Sequence, residues 1–225
     1  IGNKSFVEMI WLMTTGDQIN GKKSALLEAA LVAAVDHGPQ APSIAAARMS
    51  ATCGVDINNS LATGINVLGD IHGGAGQQAL ELYVEIKKEG IENIDNVLKK
   101  HKDMNGGFIP GFGHRFHKPT DPRAPRLIEL VNAAADQGEV SGAFSKIACE
   151  IEERLSNKKP VPMNIDGATA VIYAELGCPP PLARGLFCIS RSVGILAHTW
   201  EQMQKDERIK GPTPPSYGWK YKGNE

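Results

Sequence analysis

Residues 111–123 read GFGHRFHKPTDPR, and this stretch interrupts a chain that otherwise reads as a succession of helices. Two glycines and two prolines bracket two histidines, two arginines, a lysine and an aspartate. Glycine lets the backbone approach a ligand closely and proline restricts φ, so the run predicts a rigid loop. A loop that holds imidazole and guanidinium groups in fixed positions is typical of a binding or catalytic site.

The sequence on both sides of this loop predicts helices. Apolar residues recur at spacings that keep one face of each segment apolar, and Gly or Asn ends nearly every segment. The predicted helices are 24–38, 42–54, 58–70, 74–90, 91–103, 124–138, 142–157, 164–177 and 181–209. Alternating strand patterns are almost absent, so the sequence predicts an all-α fold. Small residues all around the middle helices indicate burial in a large core or against a second subunit.

The composition is that of a globular protein with room for one substantial core. The chain has 225 residues, of which 42% are hydrophobic, and its 24 Lys+Arg are matched by 25 Asp+Glu. The basic residues are scattered, so we expect no nucleic-acid partner. No apolar run approaches the roughly 20 residues that span a bilayer, and no charged-then-apolar leader is present, so we expect no membrane association.

The cysteines indicate neither a zinc site nor a disulfide framework, because no CxxC pair occurs. They are Cys53, Cys149, Cys178 and Cys188. This usage favours a reducing, cytoplasmic location. The chain starts at Ile1 rather than Met, so we expect further sequence to precede it. The tail at 210–225, KGPTPPSYGWKYKGNE, is too rich in Pro and Gly for a helix, and it is either a frayed end or an arm lying across a partner.

Polar residues within this apolar background are the candidates for function, because an ionisable group there is costly unless it is paired or used. They are His37, His72, His114, Asp166 and Arg191. Taken singly, each also has a structural explanation. His37 and His72 precede glycines at predicted helix ends, and Arg191 can bind helix-end carbonyls.

A metal site at the loop is a further alternative. His114, His117 and Asp121 can be drawn as ligands. Zinc ligands usually come in tighter pairs, and no second His/Cys pair follows, so we expect no metal.

Three segments together resemble the signature of the citrate synthase superfamily. They are HGGAGQQ at 72–78, PGFGHRFHKPTDPR at 110–123 and NIDG at 164–167, and the similarity extends from about residue 30 to the end. The GxGHR motif, with the arginine of DPR nine residues after its histidine, is more specific than a lone glycine motif. The resemblance implies a citrate synthase-like multi-helix fold in its short form, assembled as a homodimer. It also implies one catalytic domain over 1–225, in which about 104–180 form a smaller CoA-binding lobe.

The resemblance assigns roles to the matching residues. His72 would hydrogen-bond the thioester carbonyl of an acyl-CoA, Asp166 would exchange the proton of the adjacent carbon, and His114 would exchange a proton with the oxygen at the attacked carbonyl carbon. The substrate carboxylates would be held by His37, Arg123 and Arg191. Coenzyme A would be bound by Gly111, Phe112, Gly113 and Lys118.

These residue types also suit the chemistry on physical grounds. A thioester α-proton is too weakly acidic for a carboxylate alone, so a donor such as His72 must stabilise the developing enolate, most effectively as a neutral imidazole. Arginine forms two parallel hydrogen bonds with a planar carboxylate. We expect no tightly bound cofactor, with a coenzyme A thioester as substrate or product.

Two departures favour the cleavage direction. Full citrate synthases carry an arginine before a proline in the C-terminal segment, whereas residues 209–212 here read IKGP. DHGP at 36–39 resembles the citryl-CoA lyase module of ATP citrate lyase. The sequence therefore predicts a citryl-CoA lyase that forms acetyl-CoA and oxaloacetate, working as a homodimer or a higher oligomer. Alternatives are an acyltransferase of the citrate synthase or 2-methylcitrate synthase type and, in a different class, a non-catalytic CoA-binding subunit.

Overall fold

The computed structural model describes residues 1–113, 121–157, 159–211 and 216, and this part of the chain is built from helices. They are α1 (Phe6–Thr15), α2 (Gly21–Ala33), α3 (Pro42–Thr52), α4 (Ile57–Asn66), α5 (Ala75–Glu89), α6 (Ile94–Met104), α7 (Arg123–Asp136), α8 (Ala143–Ser156), α9 (Ile165–Glu175) and α10 (Pro180–Met203). A 3₁₀ turn at Ile91–Asn93 precedes α6. The predicted all-α fold is confirmed. No helix among the described residues is long and apolar enough to cross a membrane.

Several predicted helix ends were wrong. Helix α2 ends at Ala33 rather than at residue 38, α4 ends at Asn66 rather than at 70, and α10 ends at Met203 rather than at 209. At the end of α2, the carboxylate of Asp36 takes the backbone N–H groups of His37 and Gly38 as partners, so these residues form a turn instead of a further helical turn.

Helix α1 was not predicted, although its start carries a readable signal. Ser5 and Glu8 form a capping box: the Ser5 hydroxyl accepts a hydrogen bond from the Glu8 N–H, and the Glu8 carboxylate accepts one from the Ser5 N–H. The S-x-x-E spacing before an apolar run is the sequence form of this motif.

The chain divides into two compact units. The first contains residues 1–35 and 69–191, with α9 at its centre. Residues 167–174 of α9 are buried, and α2, α5, α7 and α8 pack around it. A helix whose residues are small or apolar on every side, such as GATAVIYA, buries well only inside a core. The first turn of α9 is thereby held among the helices that surround it.

The second unit contains residues 36–68 and 192–225, with α3 packed against α4. Its small core consists of Ala41, Ile44, Ala47 and Ile195. A Cβ placed on Gly64 would lie 2.6 Å from Cγ2 of Ile195 and 2.9 Å from the Ser43 carbonyl oxygen, so close helix approach explains the glycine. The N–H of Lys210 donates to the Thr52 hydroxyl at 3.0 Å, which ties the segment after α10 to the end of α3.

The expected domain organisation stays a prediction. Residues 104–180 all belong to the first unit. Most of the tail, including its PTPP run at 212–215, lies outside the described residues.

Candidate active site

The GFG motif is joined by hydrogen bonds to the segment that leads into α9. The N–H of Asn164 donates to the Gly111 carbonyl at 3.0 Å, the N–H of Gly113 donates to the Pro162 carbonyl at 2.7 Å, and the Asn164 side-chain amide donates to the Gly113 carbonyl at 2.8 Å. Phe112 and Met163 form an isolated antiparallel bridge. Two of the predicted signature segments therefore meet in space, through residues 111–113 of the first and Asn164 of the second.

Gly111 fills a position that no other residue fits. Its φ is +85°, and a Cβ there would lie 2.8 Å from Cα of Gly167 and 2.9 Å from Cβ of Ala79. A Cβ on Gly167 would in turn collide with the Gly111 carbonyl oxygen. The two glycines allow the loop backbone to lie directly against α9.

We expect Gly111→Ala to destabilise the protein more than Gly113→Ala. Both positions have positive φ, but among the described residues a Cβ on Gly113 would come within 4 Å of Cγ1 of Val161 alone, at 3.7 Å. Gly113→Ala should therefore cost about 1 kcal/mol for the left-handed backbone, and Gly111→Ala about 2–3 kcal/mol because overpacking is added. Urea unfolding of both variants measures the difference, and equal losses would contradict the close packing of Gly111.

Asp121 anchors Arg123 and the start of α9. Its side chain is fully buried. Its carboxylate accepts hydrogen bonds from Arg123 Nε at 3.0 Å, from Arg123 Nη2 at 2.8 Å, from the Arg123 N–H at 3.1 Å and from the Ile165 N–H at 3.2 Å. Burial opposes ionisation of Asp121, but the hydrogen bonds and charge of Arg123 hold its pKa below the ordinary value. The guanidinium of Arg123 is thereby fixed in orientation while 27% of its side chain stays exposed.

Asp166 lies in the first turn of α9. The Asn164 side chain caps this helix by accepting the N–H groups of Asp166 and Gly167. Burial raises the pKa of the Asp166 carboxyl above its ordinary value, Arg191 and Arg123 act to lower it, and Asp121 adds to the rise. The result is a carboxyl group that holds its proton more strongly than an exposed aspartate does.

His72 lies in the loop before α5, and several contacts hold this loop. Its carbonyl accepts the Gly69 N–H at 2.8 Å, and Asp70 forms an ion pair with Arg184 at 2.6 Å. The Gln78 side chain donates to the Asp70 carbonyl at 3.2 Å. Burial lowers the pKa of His72, and the positive charge of Arg191 lowers it further. A neutral imidazole is therefore favoured at this position.

Arg191 is buried in the middle of α10, with 4% of its surface exposed. Its Nε donates to the Ala34 carbonyl at the end of α2 at 3.0 Å, and its guanidinium lies 4.8 Å from the centre of the Phe187 ring. The structural explanation for Arg191, a bond to a helix-end carbonyl, is thus correct. The positive charge of Arg191 also lowers the pKa of His72 and opposes the rise in the pKa of Asp166. Arg191 therefore has an electrostatic effect on these two groups besides its structural contact.

The first unit contains all of the predicted site residues that the structure describes, except His37. The charge of Arg191 acts on both His72 and Asp166, and the charge of Arg123 acts on Asp166. His37 belongs to the second unit, where it is exposed in the turn after α2. His114, His117 and Lys118 lie outside the described residues, so the predictions for these three remain predictions.

Two residues that support the site were not predicted for this role. Asp121 was considered only as a metal ligand, although an aspartate two residues before an arginine can anchor its guanidinium. Asn164 was overlooked as an N-cap, although an asparagine directly before an apolar helical run is a known helix-start signal. The local contacts, from Asp121 to Arg123 and from Asn164 to the first turn of α9, follow from the sequence, whereas the contacts of Asp121 with Ile165 and of Asn164 with Gly113 do not.

The arrangement in the first unit suits proton transfer at carbon next to a carbonyl group. A carboxyl with a raised pKa can give or take the proton, and an uncharged imidazole can donate to the carbonyl oxygen as negative charge develops there. An arginine held by a buried aspartate can bind a substrate carboxylate in a fixed direction.

Comparison with known proteins shows which family this chain belongs to. Residues 2–213 match the family described as citrate synthase, C-terminal domain. The chain is 28% identical over 202 residues to the citrate synthase of Haloferax volcanii, and 30% identical over 199 residues to citrate synthase 2 of Bacillus subtilis. These matches cover 88% and 85% of this chain and 52% of each relative, so the chain spans about half the length of these curated relatives.

Solved structures show the same similarity. Citryl-CoA lyase from Hydrogenobacter thermophilus has a TM-score of 0.85 and 31% identity, covering 100% of this chain and 86% of that chain. Citrate synthase from Thermotoga maritima has a TM-score of 0.76 and 28% identity, covering 99% of this chain and 60% of that chain.

Proposed function

Because the chain belongs to the citrate synthase family, we propose that it is a citryl-CoA lyase, which cleaves citryl-CoA to acetyl-CoA and oxaloacetate. The observation that carries the choice of direction is the similarity to the citryl-CoA lyase of Hydrogenobacter thermophilus, which exceeds that to the Thermotoga maritima citrate synthase in both identity and TM-score. Coenzyme A thioesters serve as substrate and product, and no tightly bound cofactor takes part.

The cleavage uses three side chains in sequence. His114 removes the proton of the citryl hydroxyl, and the resulting oxyanion forms the ketone of oxaloacetate as the carbon–carbon bond breaks. The electron pair of that bond moves to the thioester, giving the enolate of acetyl-CoA, whose oxygen accepts a hydrogen bond from His72. Asp166 then gives its proton to the α-carbon of the enolate, which completes acetyl-CoA. The same groups act in reverse order for condensation.

The electrostatics of the first unit support the roles of His72 and Asp166. The raised pKa of Asp166 favours the protonated acid, which is the form that cleavage requires at the start. The lowered pKa of His72 favours a neutral donor, whose acidity is closer to that of an enol than an imidazolium's would be. Both shifts have burial as their largest cause, so exclusion of water from the bound substrate would strengthen both.

The carboxylates of the citryl group are assigned to Arg123, Arg191 and His37. The bidentate contact with Asp121 leaves Arg123 in one orientation, which suits recognition of a planar carboxylate. Gly111, Phe112 and Gly113 are assigned to the coenzyme A site, with Lys118 near the coenzyme A phosphates.

A citrate synthase, with acetyl-CoA or propionyl-CoA as the acyl substrate, is the second candidate. Two curated relatives, from Haloferax volcanii and Bacillus subtilis, favour it, since both are named citrate synthases. A non-catalytic CoA-binding subunit is the candidate of a different class. A non-catalytic subunit does not require that the pKa of Asp166 be raised and the pKa of His72 be lowered.

One assay separates these candidates. The protein is supplied with synthetic citryl-CoA, and separately with acetyl-CoA and oxaloacetate, and kcat/KM is compared for cleavage and for release of free CoA with citrate. We expect rapid formation of acetyl-CoA and oxaloacetate from citryl-CoA. Hydrolysis of citryl-CoA to citrate and CoA would identify a synthase, and CoA binding without turnover of either mixture would identify a binding subunit.

The functional unit is proposed to be a homodimer formed through the second unit. Exposed apolar side chains recur along α10 at positions three and seven residues apart: Val193 is 56%, Leu196 41% and Trp200 57% exposed. Together with Ile57 and Ala197 they line one surface groove. A contiguous apolar surface of this kind marks an interaction site, and a symmetric dimer would bury it twice. A larger assembly built from such dimers is compatible with the same face.

We expect Trp200→Glu to weaken self-association at least about 30-fold, because an aromatic anchor at an interface centre contributes about 2 kcal/mol or more. Phe6→Glu is the matched control: it changes an aromatic side chain that is 77% exposed in the first unit. Light scattering over a range of concentrations measures the change. If the Trp200→Glu protein stayed dimeric, the placement of α10 in the dimer interface would be wrong.

A further inference from the structure

The turn that carries His37 is organised by the residue before it. Burial opposes ionisation of Asp36, but the backbone N–H groups of Gly38 and His37 and the imidazole of His198 hold the pKa of its carboxyl below the ordinary value. Gly38 has φ of +80°, and its carbonyl accepts the Ala41 N–H at 3.1 Å. The carboxylate of Asp36 therefore stabilises the turn by accepting hydrogen bonds from its backbone N–H groups.

His198 connects this carboxylate to α3. His198 lies on α10. Its Nε2 is 3.2 Å from Asp36 Oδ1, and its Nδ1 is 3.4 Å from Arg48 Nη1. Arg48 forms an ion pair with Glu201 at 2.8 Å. All four side chains belong to the second unit.

The neighbours of His198 select one of its tautomers. An arginine guanidinium only donates hydrogen bonds, so the nitrogen that faces Arg48 must be the acceptor. Nδ1 is then unprotonated, and Nε2 carries the hydrogen that it donates to Asp36. The Glu201 carboxylate lies 3.8 Å from Nδ1, which is too long for a competing hydrogen bond.

We propose that His198 is a positioning residue for His37: through the hydrogen that Nε2 donates, it holds Asp36 and, through Asp36, the turn that presents His37 to a substrate carboxylate. This inference rests on the proposed function, because it takes a carboxylate as the ligand of His37. The Asp36 side chain is 44% exposed, and polar contacts of exposed side chains add little stability, so the contact serves geometry more than folding.

Two substitutions of His198 separate positioning from general packing. In His198→Gln the side-chain amide nitrogen lies where Nε2 was and can still donate to Asp36. In His198→Asn the shorter amide reaches only the position of Nδ1, so the donor to Asp36 is lost. Lys205→Ala is the control just after the same helix, because it removes a surface contact with Glu201, at 2.9 Å, and leaves His198 and Asp36 in place.

We expect His198→Asn to raise the KM for oxaloacetate in the condensation direction about tenfold with kcat nearly unchanged, the pattern of lost uniform binding. His198→Gln should recover most of that loss, and Lys205→Ala should match the wild type. The affinity for CoA should be the same in all four proteins. Thermal midpoints should agree within about 3 °C, since a contact with a partly exposed carboxylate contributes little stability.

The outcomes distinguish this inference from the proposed function. Nitrogen-15 NMR of the wild type should show the Nε2-protonated tautomer of His198, and the other tautomer would overturn the inference. So would equal KM values for oxaloacetate in the wild type and His198→Asn, or equal losses in the Asn and Gln variants. The proposed function would instead be contradicted by the wild type itself, if it did not cleave citryl-CoA.

Discussion

An Asp166→Ala protein should cleave citryl-CoA about 10²- to 10⁴-fold more slowly than the wild type, because general acid–base catalysis contributes a factor of that size. The loss should fall on kcat, while the affinity for CoA and the free energy of unfolding change little. Asp166 lies in the first turn of a capped helix, and burial raises the pKa of its carboxyl, so the ionised group is not a source of folding stability.

The matched control is Asp103→Ala, which removes an exposed aspartate from α6. Turnover of both variants with citryl-CoA, together with calorimetric CoA binding, gives the comparison. If Asp166→Ala turned over at the wild-type rate, Asp166 would not be the proton donor, and the binding-subunit hypothesis would become the better one.

Asp121→Ala is expected to lower the free energy of unfolding by about 3–5 kcal/mol, the range for removing one partner of a buried ion pair. The substitution leaves three Arg123 donors and the Ile165 N–H without their acceptor. Urea unfolding measures the loss. Activity should fall as well, because Arg123 is no longer held in one orientation and the start of α9, next to Asp166, loses an anchor.

Glu129→Ala is the control for Asp121. It breaks the Arg126–Glu129 pair at 3.0 Å, whose side chains are 69% and 65% exposed, and should cost at most about 0.5 kcal/mol. Asp121→Asn keeps the shape and removes the charge, so it tests activity in a protein that still folds. Equal stability of Asp121→Ala and Glu129→Ala would contradict the anchoring role.

The stability difference between the wild type and Asp121→Asn should depend on pH with a definite sign. The pKa of Asp121 is lower in the folded protein than its ordinary value, so its ionisation stabilises the fold above the unfolded-state pKa of about 3.9. The stability difference between wild type and Asp121→Asn should therefore be largest near neutral pH. It should shrink as the pH falls below about 4 and Asp121 takes up a proton.

The sequence by itself determined the helical class and the chemical groups of the candidate site. Helix formation depends on residues three and four apart, so the apolar spacing in a segment such as 142–157 is enough to predict α8, which spans Ala143–Ser156. The segments that carry Gly111, His72 and Asp166 are also recognisable from order and spacing alone. The capping signals at Ser5 and Asn164 are local as well, and both could have been read from the sequence.

Only the tertiary structure decided which groups hold one another. Arg191 finds the Ala34 carbonyl 157 positions away along the chain, and Asp121 finds the Ile165 N–H 44 positions away. No local pattern specifies such contacts, because they follow from how helices pack around α9. The raised pKa of Asp166 and the lowered pKa of His72 depend on the same packing, since burial is the largest cause of both. Likewise, no local pattern predicts that the Asp36 carboxylate lies 3.2 Å from Nε2 of His198 in α10.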